Sequence, residues 1–301
     1  MFVMSSAIHT THDSTWAWLR PFLLSAAAGF GIVALWWFFV GTRSGQVMDA
    51  AALEGGRIGS HYVIRLNYWL LNKVSVPAIA LAMVVVAATA LLRRRWLLAL
   101  EAAVVIAGAN FSTQVLKYSI FTRSDLMGST TSMANVNSLP SGHTTAAASA
   151  CVAAVLVAPP ALRVLAACLG ALGMVAFGWS TVASSWHRPS DVVAALLVCF
   201  CWALMALAIE ALRYRLLGRT SAERTVSAPP SRFWPGLLFT GGLVALALAF
   251  WGIWWARDLG EFTRDTTFTA YAASSLGIVG VACAGMAVLL RLVQRLDARR
   301  G

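Results

Sequence analysis

The sequence predicts an all-α membrane protein: a six-helix transmembrane core followed by two further transmembrane helices. Three observations carry that expectation. The chain is 59% hydrophobic and only 12% charged, with a mean hydropathy of +0.73. A soluble fold with that balance lacks the polar residues to cover its surface. Apolar runs recur at about 21–40, 76–92, 96–116, 142–158, 162–180, 191–212, 235–255 and 269–291, and most approach the roughly 20 residues a helix needs to span hydrocarbon. Finally, an amino terminus on the inner side leaves fourteen of the 23 Lys and Arg residues inside, as the positive-inside bias requires. The net charge of +11 follows from that bias and does not call for a nucleic-acid partner.

The first run has no clear small-x-small cleavage site before the polar stretch that follows, so an uncleaved helix is expected there. Residues 42–75 mix Ile58, Tyr62, Ile64, Leu66, Trp69 and Leu70 with Arg57, Arg65 and Lys73. That mixture suits an amphipathic segment lying on the outer face. The runs at 76–92 and 142–158 are short for a crossing and need extra residues at their ends or local thinning. A polar linker at 217–233 divides a unit at 1–216, which holds every motif, from a two-helix appendage and basic tail at 234–301. Cys151, Cys168, Cys199, Cys201 and Cys283 all fall inside apolar runs without metal-ligand spacing, and read as small packing residues. The thirteen tryptophans gather near the ends of runs, as an interfacial belt does.

The chemistry concentrates at three junctions between apolar and polar sequence, all on the outer face in this topology. Lys117 closes the third run and Arg123 follows it, bringing two fixed positive charges. Asn110 and Gln114 precede Lys117 on the same helical face; such groups either bridge helices or line a wet cavity. At Pro140-Ser141-Gly142-His143, a proline leads into the fourth run. The opening amides and dipole of that helix offer an anion seat, glycine lets the backbone approach closely, and Ser141 adds a hydroxyl. An ordinary capped helix start is the plainer reading of Ser141 and Gly142. In His187-Arg188-Pro189-Ser190-Asp191, Pro189 can start a helix with Asp191 in its first turn and His187 just outside. Asp191 can then hold the far nitrogen of His187 and stabilise the imidazolium, leaving the near nitrogen to attack phosphorus. His143 remains to protonate the departing oxygen.

These motifs, Lys117 to Arg123, PSGH at 140–143 and His-x-x-x-Asp at 187–191, resemble those of the type 2 phosphatidic acid phosphatase (PAP2) superfamily. The likeness covers roughly 76–212 plus the first helix. It implies a PAP2-like six-helix core in an integral-membrane, metal-independent phosphatase of lipid phosphates. On that resemblance His187 is the nucleophile, Asp191 its orienting acid and His143 the proton donor. Lys117, Arg123, Ser141 and Gly142 bind phosphate, and neither a metal nor another cofactor is needed. The expected partners are the bilayer and a lipid phosphate or diphosphate, with polyprenyl carriers as the substrate class and phosphatidate or phosphatidylglycerophosphate as the alternative.

The chain departs from the family pattern at two places. Five residues separate Lys117 from Arg123 where the family has six, and Ser124 follows where the family has proline. The third motif opens with Ser180-Thr181 where the family has Ser-Arg, so a phosphate-binding arginine is missing. Losing such a donor costs on the order of 10²–10³ in rate. Arg188, directly after His187, has the planar fork to replace it, or else contacts a lipid headgroup or its own loop.

Overall fold

The computed structural model describes residues 5–58, 83–86, 88–89, 92, 96–128, 136–217, 231–256 and 263–300. Among these residues the chain is helical, with no strand. The elements are α1 (Ser5–Leu35), α2 (Arg43–Gly55), α3 (Trp96–Val115), α4 (Gly142–Val157), α5 (Arg163–Ala183), α6 (Pro189–Leu216), α7 (Phe233–Ala256) and α8 (Arg264–Arg300). Short π-helical stretches extend α1 through Trp36–Val40 and α3 through Leu116–Ile120. Six helical segments are long and apolar enough to cross a membrane: Trp16–Val40, Trp96–Ile120, Pro160–Ala183, Pro189–Leu216, Phe233–Ala256 and Arg264–Ala298. The 16 residues of α4 extend about 24 Å at the α-helical rise, short of a bilayer's hydrocarbon thickness of about 30 Å. Most of the expected crossing at 76–92, half of the outer-face segment at 42–75 and most of the linker at 217–233 lie outside the described residues. Of the eight crossings expected from the sequence, six are present among the described residues, with α4 as a shorter apolar helix.

α6 is the axis of the bundle. Leu196, Val198, Cys199, Phe200 and Ala203 are all buried along it, because an almost uniformly apolar helix is stable only when surrounded. Small and polar residues set its neighbours. Ser25 of α1 donates to the Cys201 carbonyl at 2.8 Å, and Trp202 Nε1 donates to Ser112 of α3 at 3.0 Å. α3 and α4 are joined by Asn110 to Ser149 at 3.2 Å and by Thr113 to Thr145 at 2.9 Å. Asn110 thus bridges helices, the first of the two readings open to it, in the manner of polar glue between apolar helices. Phe30, Leu172, Phe250 and Trp251 point outward, an apolar exterior that only lipid would cover well. All five cysteines are free thiols.

α8 shares this core. Ile278, Ala282, Met286, Leu289 and Leu290 are buried in the same cluster as α4, α5 and α6. Near its end Asp297 forms an ion pair with Arg163 at the start of α5, a guanidinium only 2% exposed. α8 also packs on α2, where a Cβ at Gly55 would stand 2.1 Å from the Thr267 carbonyl oxygen. Only glycine permits that approach. α2 itself begins at a Thr42 cap, whose hydroxyl oxygen accepts from the Gly45 amide at 3.0 Å. Its residues Gln46, Met48, Asp49, Ala51 and Ala52 are buried, so α2 is clamped between α8 and the start of α6.

Candidate active site

The start of α6 places the third motif. Pro189 occupies the first helical turn, where its missing N–H costs nothing. Asp191 follows in that turn and is 1% exposed. One of its carboxylate oxygens accepts the Arg188 amide at 3.0 Å and lies 3.3 Å from His187 Nδ1. A single oxygen thus ends the loop and orients the imidazole. His187, 8% exposed, is held from the other side as well. The Thr181 carbonyl accepts its amide at 3.4 Å and that of Trp186 at 3.0 Å. Between them Ser185 adopts a left-handed backbone with φ 56°, a conformation that costs a non-glycine residue about 1–2 kcal/mol. The turn is kept tight by close packing of α5 on α6, where a Cβ at Gly178 would stand 2.7 Å from Val192 Cγ1.

The start of α4 supplies the second motif. The Ser141 amide donates to the Asp191 carbonyl at 3.0 Å, which joins the two helix starts directly. Its hydroxyl accepts from the Thr144 amide at 3.3 Å and donates to the Thr144 hydroxyl at 3.0 Å. Ser141 is therefore a helix cap in this structure. Gly142 stands beside Gln114, whose Nε2 would be 3.4 Å from a Cβ there. Gln114 thus faces the PSGH turn, whereas Asn110 one turn below ties helices together. His143 is exposed, with its ring 6.1 Å from that of His187 and 5.4 Å from that of Trp186, centre to centre. The two imidazoles are tilted 57° to each other.

The first motif arrives on a braced loop. Lys117 lies in the π-helical stretch after α3, its carbonyl accepting from Asn137 at 3.0 Å, and its charge acts on His143. Gln46 of α2 donates to the Ser124 carbonyl at 2.7 Å and accepts from the Leu126 amide at 3.2 Å. Trp36 stacks on Phe121 at 5.0 Å and donates to the Thr122 carbonyl at 3.3 Å. Those contacts flank Arg123 and fix where its backbone runs. Burial and the neighbouring Arg188 draw the Arg123 guanidinium below the ordinary arginine range, while Asp49, Asp191 and Asp125 oppose the shift. Arg123 and Arg188 are therefore near enough for their charges to repel. Arg188 Nη1 donates to the Ser138 hydroxyl at 2.8 Å.

All eight residues singled out in the sequence come to this one end of the bundle: Lys117, Arg123, Ser141, Gly142, His143, His187, Arg188 and Asp191. Thr181, at the position of the missing family arginine, does not present its side chain. It is fully buried and its hydroxyl donates to the Gly178 carbonyl at 2.8 Å.

One residue of this cluster escaped the sequence reading. Asp49 of α2 is 2% exposed; its carboxylate accepts the Ser190 hydroxyl at 2.5 Å and the Ser190 amide at 3.3 Å. It therefore pins the first turn of α6 from behind the His187–Asp191 pair. Burial, and then the charge of Asp191, push its pKa from 3.8 up to about 7, against the pull of Ser190 and Arg188. Nothing in the spacing marked it, since Asp49 sits alone between two apolar runs.

A buried His–Asp pair, a second histidine beside it and three cations at the same end of the bundle form an arrangement able to carry phosphoryl transfer. Residues 98–215, from early α3 to the end of α6, match the family model of the PAP2 superfamily. Members of that superfamily are phosphatases of phosphate esters, typically those of lipids. No curated protein and no solved structure matches the chain.

Proposed function

We propose that the protein hydrolyses a lipid phosphate or diphosphate at the outer membrane surface, without a metal, through a phosphohistidine. The observation that carries this reading is the buried His187–Asp191 pair facing His143 across 6.1 Å. With the Nδ1 proton of His187 donated to Asp191, Nε2 keeps its lone pair for phosphorus. As the N–P bond forms, the P–O bond to the lipid alcohol or phosphate breaks, and His143 delivers a proton to that oxygen. Water then attacks the phosphohistidine with His143 as base, and His187 leaves as the neutral imidazole. Lys117, Arg123 and Arg188 carry the charge of the phosphoryl oxygens. The distribution of basic residues supports the outer face, and that face in turn favours a polyprenyl carrier.

Phosphate release from polyprenyl diphosphate, phosphatidate and phosphatidylglycerophosphate, measured in EDTA with the purified protein, tests the proposal. Preference for the polyprenyl substrate is expected. Preference for a glycerolipid would move the substrate assignment, and loss of activity restored by Mg²⁺ or Zn²⁺ would overturn the metal-free mechanism. Binding without release on any of the three would make the protein a lipid-phosphate receptor. Rapid quenching should trap an acid-labile, base-stable phosphoprotein.

A further inference from the structure

A cavity of about 570 Å³ opens at the end of the bundle away from the two histidines, between α1, the start of α7 and the last turns of α8. Twenty residues of helix separate its Arg20 from Val40 at the active-site end, about 30 Å at the α-helical rise. Four of its lining residues are Arg20, Arg232, Arg291 and Arg295, and none is acidic. The rest of the wall is apolar, with Leu23 and Leu24 from α1, Phe239 from α7 and Val288 from α8. The Nη1 atom of Arg291 is buried there without a hydrogen-bond partner. Leaving a buried guanidinium N–H unmade is costly, so the site is built for an acceptor the protein itself does not supply. Asp297, six residues beyond Arg291, is already committed to Arg163.

We infer that this cavity binds an anionic phospholipid, with the phosphodiester among Arg20, Arg232 and Arg291 and an acyl chain along Leu23, Phe239 and Val288. Guanidinium forks suit phosphate oxygens, and basic pockets between transmembrane helices are established seats for anionic headgroups. A free phosphate would satisfy the arginines but leave the apolar wall facing water. A lipid covers both, and its chain closes the opening between α1 and α7.

The protein, purified in neutral detergent, is offered phosphatidylglycerol or phosphatidylcholine with the same acyl chains, and bound lipid is counted by native mass spectrometry. The wild type should retain phosphatidylglycerol about 25-fold more than phosphatidylcholine, from two arginines at roughly fivefold each. Arg232→Gln with Arg291→Gln should abolish that preference. Gly236→Trp should also expel the lipid with every arginine intact, because Gly236 lines the cavity and a Cβ there meets nothing within 4 Å. Equal retention of the two lipids by the wild type would overturn the inference. So would unchanged retention by both variants, or displacement of the lipid by millimolar inorganic phosphate.

Discussion

The two ends of this bundle handle positive charge in opposite ways. At the histidine end Arg123 and Arg188 stand against Asp49 and Asp191, and hydrogen bonds fix Asp49, Ser141, Arg188 and Asp191. At the far end four arginines line a cavity without an acid among its lining residues. Cations held by carboxylates are positioned but partly neutralised; they suit a reaction in which charge shifts by small amounts over short distances. Arg20, Arg232 and Arg291, on a wall that carries no acid, keep their attraction for an anion and suit retention. One chain thus sets the same residue type in two different electrostatic settings. The placement of the acids makes the difference.

The comparison is tested hardest at the histidines. His187→Ala should lower hydrolysis by about 10⁴-fold or more, and His143→Ala by about 10²–10⁴-fold, with melting behaviour unchanged. Substantial phosphate release by purified His187→Ala protein would end the nucleophile assignment. Next in size is Arg188. Arg188→Ala should reduce kcat/KM by about 10²-fold, and Arg188→Lys should recover little, since a point charge cannot reproduce a planar fork. Kinetics of Arg188→Ala equal to wild type would return Arg188 to its loop contact with Ser138.

Asp49 gives a smaller, pH-dependent effect. Its folded-state pKa is raised from 3.8 to about 7. Its stabilising contribution is therefore complete below the ordinary carboxylate value and is lost as pH rises through about 7. Asp49→Asn, which cannot ionise, should melt with a flatter pH dependence between about 4 and 7 than wild type. Parallel Tm curves across that window would assign the titration to another group. The smallest change expected is at Ser185, whose φ of 56° favours glycine. Ser185→Gly should add about 1 kcal/mol of stability, measured by denaturant unfolding in detergent; a destabilised variant would mean the serine makes a contact worth more than the strain.

Much of the site was legible because its parts are local in sequence. Pro189 and Asp191 announce a helix start, and Pro140-Ser141-Gly142 announces another, so the apposition of His143 and His187 follows from two helix ends on one side of a bilayer. The absence of the family arginine was legible too, as Thr181. Its burial was not, because a threonine in an apolar run carries no sign of which way it faces. The Gln46 brace on the Arg123 loop depends on residues about 80 positions apart, and Asp49 reaches Ser190 across 141. Contacts of that separation leave no periodic trace. The arginines of the far cavity were visible only as positive-inside charge, since Arg20, Arg232 and Arg291 come together through packing alone.

The pairing of Arg163 with Asp297 has a consequence for biogenesis. The cation is made 134 residues before its anion, which at ribosomal rates of about 5–20 residues per second is roughly 7–27 s of synthesis. Through that interval Arg163 must wait at a lipid interface or among water, because a buried cation without its partner costs several kcal/mol. The bundle therefore cannot close as its helices emerge in turn. It locks when the last helix arrives, so a ribosome that stops early leaves a chain whose catalytic motifs are all translated but whose core is still open.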